Sequence, residues 1–169
     1  MQERWKPSVT VAAIIERKLG GRSQFMLVEE LTRDGLKLNN PAGHLDPGEN
    51  PIEACAREAL EETAHSFVPT ALVGIYLSRF ERPVAGGSTE DITYLRFAFC
   101  GELGECQPGR TLDTGIVRTL WMSPQELRDS QARHRSPLLL QCLEDYLRGQ
   151  RYPLELVYTH GSVHALGPA

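Results

Sequence analysis

The stretch from Gly43 to His65 constrains this chain more than any other, because it prescribes a helix with a marked start and crowds acids onto one face. Asn50 is placed to accept from a free amide of the first turn, and Pro51 suits the first helical position. Glu53 completes a capping-box spacing. Ala54, Ala56, Ala59 and Leu60 favour helix, and neither Gly nor Pro interrupts before Pro69. On that helix Glu58, Glu61 and Glu62 stand at i, i+3 and i+4, so their carboxylates share a face. Like charges so placed repel, and Arg57 is the single cation within the helix. A divalent cation among the oxygens removes the repulsion, and clustered carboxylates are the hard ligands that Mg²⁺ or Mn²⁺ takes.

A glutamate-rich helix alone is commonly a solvated face; the loop before it changes the reading. Gly43, five residues, Glu49, seven residues, Arg57-Glu58, two residues and Glu61-Glu62 resemble the Nudix box, Gly-x5-Glu-x7-Arg-Glu-U-x-Glu-Glu-x-Gly-U, where U is aliphatic. If each residue type fills roughly one position in fifteen, such a six-point match arises about once in ten million starting points. The resemblance implies a mixed α/β fold, an α/β/α sandwich around a mixed sheet. It also implies metal ligation by Glu58 and Glu62, with Glu61 a ligand or a base. Arg57 would orient a box glutamate, here Glu49, and a backbone carbonyl near Ala42-Gly43 would complete the metal sphere. Two positions depart from the pattern: Ala64 stands where Gly is expected and His65 where an aliphatic residue is expected. Either the turn is built differently or the helix runs on to Ser66.

At 169 residues, the expectation is one domain over 1–157 with a C-terminal tail over 158–169. A net charge of −4 offers no global basic surface for nucleic acid or an anionic membrane. No apolar run approaches a membrane span, and the N-terminus lacks the apolar core of a signal peptide. Cys55, Cys100, Cys106 and Cys142 have no CxxC spacing and are expected to be buried thiols in a reducing, cytoplasmic setting.

Ser8 to Ile15 reads as a strand buried on both faces. A turn follows over Glu16 to Ser23, then a strand over Phe25 to Glu29 that makes a hairpin. Thr32 to Gly35 is a turn, and Leu36-Lys37-Leu38 leads into the box. Strands are expected at Thr70 to Phe80, Ile92 to Cys100 and Ile116 to Met122, with a loop tip over Pro83 to Asp91. In Ile92 to Cys100 the alternation puts Leu95, Phe97 and Phe99 on the buried side and Tyr94 and Arg96 on the other. Ser123 opens a short helix through a capping box. Ser136-Pro137 starts the last helix, with Leu139, Cys142, Leu143, Tyr146 and Leu147 as its core stripe and Gly149 at its end.

Beyond the box, His44-Leu45-Asp46, Leu95-Arg96-Phe97, Arg135-Ser136-Pro137-Leu138 and residues 149–155 resemble the bacterial phosphatases of the NudJ group. That implies action on nucleoside tri- and diphosphates and on the pyrophosphates of thiamine and its pyrimidine, with release of orthophosphate. Release of pyrophosphate in one step is the alternative, and a non-catalytic nucleotide sensor is a further one. The implied cofactor is Mg²⁺, for which Mn²⁺ can substitute, and the implied partner is a small nucleotide or pyrophosphate. Arg96 and Arg79 are candidates for substrate phosphate, Tyr94 and Phe80 for stacking on a ring, and Asn39 and Lys37 for ligand contact. His44 lies in the box loop. Asp113, Glu90 and Asp91 are loop acids, any of which could add a ligand or a base.

Overall fold

The first strand, β1 (Ser8–Ile14), is apolar on both faces, and the fold uses both. In the computed structural model, which describes residues 4–83 and 87–165, Val11, Ala13 and Ile15 pack with Ala54, Cys55 and Ala59 of helix α1 (Pro51–Thr63). The alternate residues Ala12 and Ile14 pack with Leu139, Cys142 and Leu143 of helix α3 (Leu138–Leu147). A strand that alternates between two helices can lie only in the middle layer, so the α/β/α sandwich follows from period-two geometry.

The remaining elements are β2 (Glu16–Leu19), β3 (Arg22–Thr32), β4 (Gly35–Asn39), β5 (Ala42–His44), β6 (His65–Pro83), β7 (Thr89–Cys106), β8 (Ile116–Met122) and the short helix α2 (Pro124–Asp129). One sheet runs β5-β1-β7-β6 and is mixed: β1 pairs parallel with β7, while β1–β5 and β6–β7 are antiparallel. In the second sheet β3 pairs antiparallel with β2, β4 and β8. Among the described residues no helix is long and apolar enough to cross a membrane.

Several elements differ from the sequence reading. The first turn shrinks to Gly20-Gly21, both at positive φ, and Glu16 to Leu19 is strand. A two-residue turn of that kind matches strand twist and holds polar residues in a hairpin that their composition does not advertise. The β6–β7 hairpin is much longer than expected: Thr89 to Asp91 pair with Glu81 to Pro83 instead of forming a loop. Its outer part carries charged, exposed side chains and so lacks the apolar alternation that marks a strand. The tip residues 84–86 lie outside the described residues. On β7, Phe99 is buried as expected, but Leu95 and Phe97 are only partly covered while Arg96 is buried. Helix α3 packs on the Arg96 side there, against Ala98 and Cys100.

Cys55, Cys100 and Cys142 are buried thiols, whereas Cys106 is exposed at the end of β7. Leu147 is 37 % exposed and falls outside the α3 stripe. The tail expected to be loose is partly docked: His164 Nδ1 lies 3.1 Å from the Gly48 carbonyl oxygen. Residues 166–169 lie outside the described residues.

Neither alternative for the end of α1 holds. The helix stops at Thr63, and Ala64 itself takes the left-handed conformation at φ 58° and ψ 19°, its N–H donating to the Leu60 carbonyl. The Ala64 carbonyl accepts from Gln107 at 2.7 Å, which ties the turn to the loop after β7. The Cβ is strained in that conformation, so Ala64→Gly is expected to stabilise the fold by about 1 kcal/mol, seen as a higher urea midpoint with unchanged slope.

Candidate active site

The loop between β5 and α1 is fastened to the helix by one side chain. The Arg57 fork donates from Nε and Nη2 to both Glu49 oxygens, at 3.0 and 2.7 Å. Its Nη1 reaches Glu58 at 2.8 Å and Glu61 at 2.9 Å, and Nη2 also donates to the His44 carbonyl at 2.9 Å. A planar guanidinium is the side chain able to serve so many acceptors at fixed angles. Burial works against ionised Glu49, but the Arg57 hydrogen bonds, the Asp46 amide and the Arg57 charge together outweigh it and hold that carboxyl below its ordinary range. Arg57 is in turn held more firmly protonated, chiefly by Glu49. Glu49 also accepts from the Asp46 amide at 2.8 Å, closing the Pro47-Gly48 turn.

On the helix face, Glu58 and Glu61 converge with Asp113, one carboxylate oxygen from each lying within 4.8 Å of the others. Asp113 reaches the helix because its amide donates to the Glu61 carbonyl at 3.1 Å. The other two loop acids left open by the sequence go elsewhere: Glu90 pairs with Arg82, and Asp91 pairs with Arg79 at 2.8 Å. Burial raises the Glu58 pKa and the charges of Glu61 and Asp113 add to the rise, opposed by Arg57. Glu62, on the same helix face, accepts from the Ala42 amide at 2.8 Å with one carboxylate oxygen. Burial pushes its carboxyl up to about 8.

Gly43 lies directly against the Glu58 carboxylate: a Cβ there would sit 2.1 Å from Oε1. Backbone and carboxylate thus approach as closely as only Gly permits. Hard oxygen donors, mutually repelling and gathered on a cradle without a side chain, fit a divalent cation such as Mg²⁺ or Mn²⁺.

A cavity of about 230 Å³ opens beside Gly43, with Asn39, His44, Phe80, Tyr94 and Arg96 in its walls. The Tyr94 ring lies 5.4 Å from Phe80 and 5.9 Å from His44, centroid to centroid. Burial lowers the Arg96 pKa. Two sequence candidates lie elsewhere. Arg79 is exposed and pairs with Asp91 and Glu81. Lys37 donates to the Ala132 carbonyl at 3.2 Å. The cavity also draws in residues that sequence reasoning did not single out, above all Glu30 and Thr10. Arg135 and Ser136, from the segment before α3, line it too. Arg135 lies 3.3 Å from Glu30, which couples the segment before α3 to β3.

The NUDIX domain family model matches residues 6–142. The chain is 35% identical over 153 residues to the phosphatase NudJ of Escherichia coli K12, covering 90% of this chain and 92% of the relative. The same figures hold for the phosphatase NudJ of Shigella flexneri, 35% over 153 residues. A solved NUDIX hydrolase from Nitrosomonas europaea superposes with a TM-score of 0.78 at 51% identity, covering 92% of this chain and 98% of that one. With a box in register, a matching sheet topology and relatives aligned nearly end to end, the chain belongs to the Nudix family and is a Nudix hydrolase.

Proposed function

We propose that this hydrolase cleaves phosphoanhydride bonds of nucleoside tri- and diphosphates and of thiamine-pyrimidine pyrophosphates, with Mg²⁺ as cofactor, and releases orthophosphate. The observation that carries the reading is the meeting of Glu58, Glu61 and Asp113 at one edge of a cavity with aromatic walls. The 35% identity to a phosphatase supports orthophosphate as the product.

A phosphoanhydride resists water because its oxygens repel a nucleophile, so catalysis here is positioning and charge neutralisation. Glu58 and Glu61, with Asp113 and the Gly43 backbone beside them, would hold a divalent ion, which would supply that neutralisation and lower the pKa of a water. Arg57 holds Glu58 and Glu61 in place and anchors the loop through Glu49. A carboxylate oxygen of Glu61 or of Asp113 would accept the proton of the attacking water. Glu62 holds β5 against the helix through the Ala42 amide, and its other oxygen would be a further ligand to the ion.

The test is a phosphate-release screen over GTP, GDP, thiamine pyrophosphate and the thiamine pyrimidine pyrophosphate, with and without Mg²⁺, followed by phosphorus NMR of the products. Mg²⁺-dependent orthophosphate from at least one of these is expected. Pyrophosphate as the first product from GTP would replace the reading with its runner-up. Tight nucleotide binding with no turnover of any substrate would mark a sensor instead.

A further inference from the structure

The cavity beside Gly43 contains polar atoms that the protein itself does not satisfy. Among the described residues, Arg96 Nε and Nη1, Glu30 Oε1, Asn39 Oδ1 and Thr10 Oγ1 are buried and have no hydrogen-bond partner. Arg96 is 7% exposed and Asn39 8%. Each such atom is costly to leave unpaired, so a concentration of them on one cavity wall marks a place where a ligand completes the bonding.

Their pattern says which kind of ligand. Phosphate oxygens only accept, so they would suit Arg96 but would face the Glu30 carboxylate and the Asn39 carbonyl as acceptor against acceptor. The edge of a nucleobase or aminopyrimidine presents an N–H donor beside an acceptor, which satisfies both kinds of orphan. Phe80 and Tyr94, 5.4 Å apart and inclined at 33°, offer ring faces for stacking. The phosphates then extend past Gly43 toward Glu58, where a cation fits.

Resting on the reading of the chain as a hydrolase of nucleotide-like anhydrides, we propose that this cavity receives a heteroaromatic ring bearing an N–H donor beside a ring acceptor, and that Glu30 and Arg96 select it. Arg96 is then a residue that reads the ring, not one that binds phosphate. Arg135 holds Glu30 from the solvent side and is a positioning residue.

The proposal is tested by NMR titration with two ligand pairs: AMP against purine riboside 5′-monophosphate, and CMP against its 2-pyrimidinone counterpart. Within each pair only the exocyclic amino group differs. The wild type is expected to bind the amino-bearing member about 10-fold more tightly, as one charge-assisted hydrogen bond allows. In Glu30→Gln the arginines draw the amide oxygen toward themselves, leaving the NH₂ toward the ligand, and the ratio should fall to about 2 or less. Phe80→Ala, at a partly exposed wall, should weaken both members of a pair about 5-fold and keep their ratio. Equal wild-type affinities, no binding of either member, or an unchanged ratio in folded Glu30→Gln would overturn the proposal. If Glu30→Gln does not fold, the wild-type ratio and Phe80→Ala decide. Discrimination without any turnover of nucleotides would leave this inference standing and remove the anhydride reading instead.

Discussion

Glu58→Gln is expected to lower Mg²⁺-dependent turnover by about 10³-fold or more, the scale of several kcal/mol of lost charge stabilisation in the transition state. The residue is 8% exposed, so its replacement by an isosteric amide preserves packing. What changes is the donor set: one of three converging carboxylates becomes a neutral group that holds a divalent ion poorly. The repulsion with Glu61 and Asp113 is relieved at the same time, so the metal-free variant should melt no lower than the metal-free wild type. Two measurements separate the effects. Phosphate release should collapse, while the rise in melting temperature on adding MgCl₂, which follows from ligand binding to the native state alone, should shrink or vanish. Full activity with an undiminished Mg²⁺-dependent shift would remove Glu58 from the metal site.

Gly43→Ala should produce a smaller loss by a different route, about 10²-fold in turnover with little change in stability. The added Cβ would lie 2.1–2.2 Å from the Glu58 carboxyl atoms. Those atoms are the far end of a side chain, so the conflict is relieved by rotating the carboxylate away and not by moving the strand. Displacement of a ligand by about 1 Å is enough for a loss of that order. A melting temperature near that of the wild type, together with weakened Mg²⁺ binding, is the expected signature. Wild-type turnover in this variant would show that the close approach of backbone and carboxylate does not matter to the reaction.

Much of the site was legible because it is local. Asn50, Pro51 and Glu53 start the helix wherever it is placed, and its 3.6-residue period puts Glu58 and Glu61 one turn apart. The pairing of Arg57 with Glu49 was implied by the resemblance to the Nudix box, and both of its hydrogen bonds are present. Less legible were features for which local signals conflict. Ala64 takes a conformation that propensity assigns to Gly, because its N–H bonds back to Leu60 and its carbonyl is held by Gln107 across the chain. Arg96 stands on a strand face that an alternating pattern marks as open, yet α3 packs on that face.

The sequence by itself determined the helix, its caps, the acidic face and the two-sided burial of β1, because each depends on neighbours within a turn of helix or a few residues of strand. Only the tertiary structure decided that Asp113 joins Glu58 and Glu61, that Glu62 turns to Ala42, and that Glu30, Arg96 and Arg135 meet around one cavity. Those groups lie tens of residues apart in the chain. What brings them together is the burial of β1 between two helices and the hydrogen bonds of distant loops, which leave no periodic trace in the residues themselves.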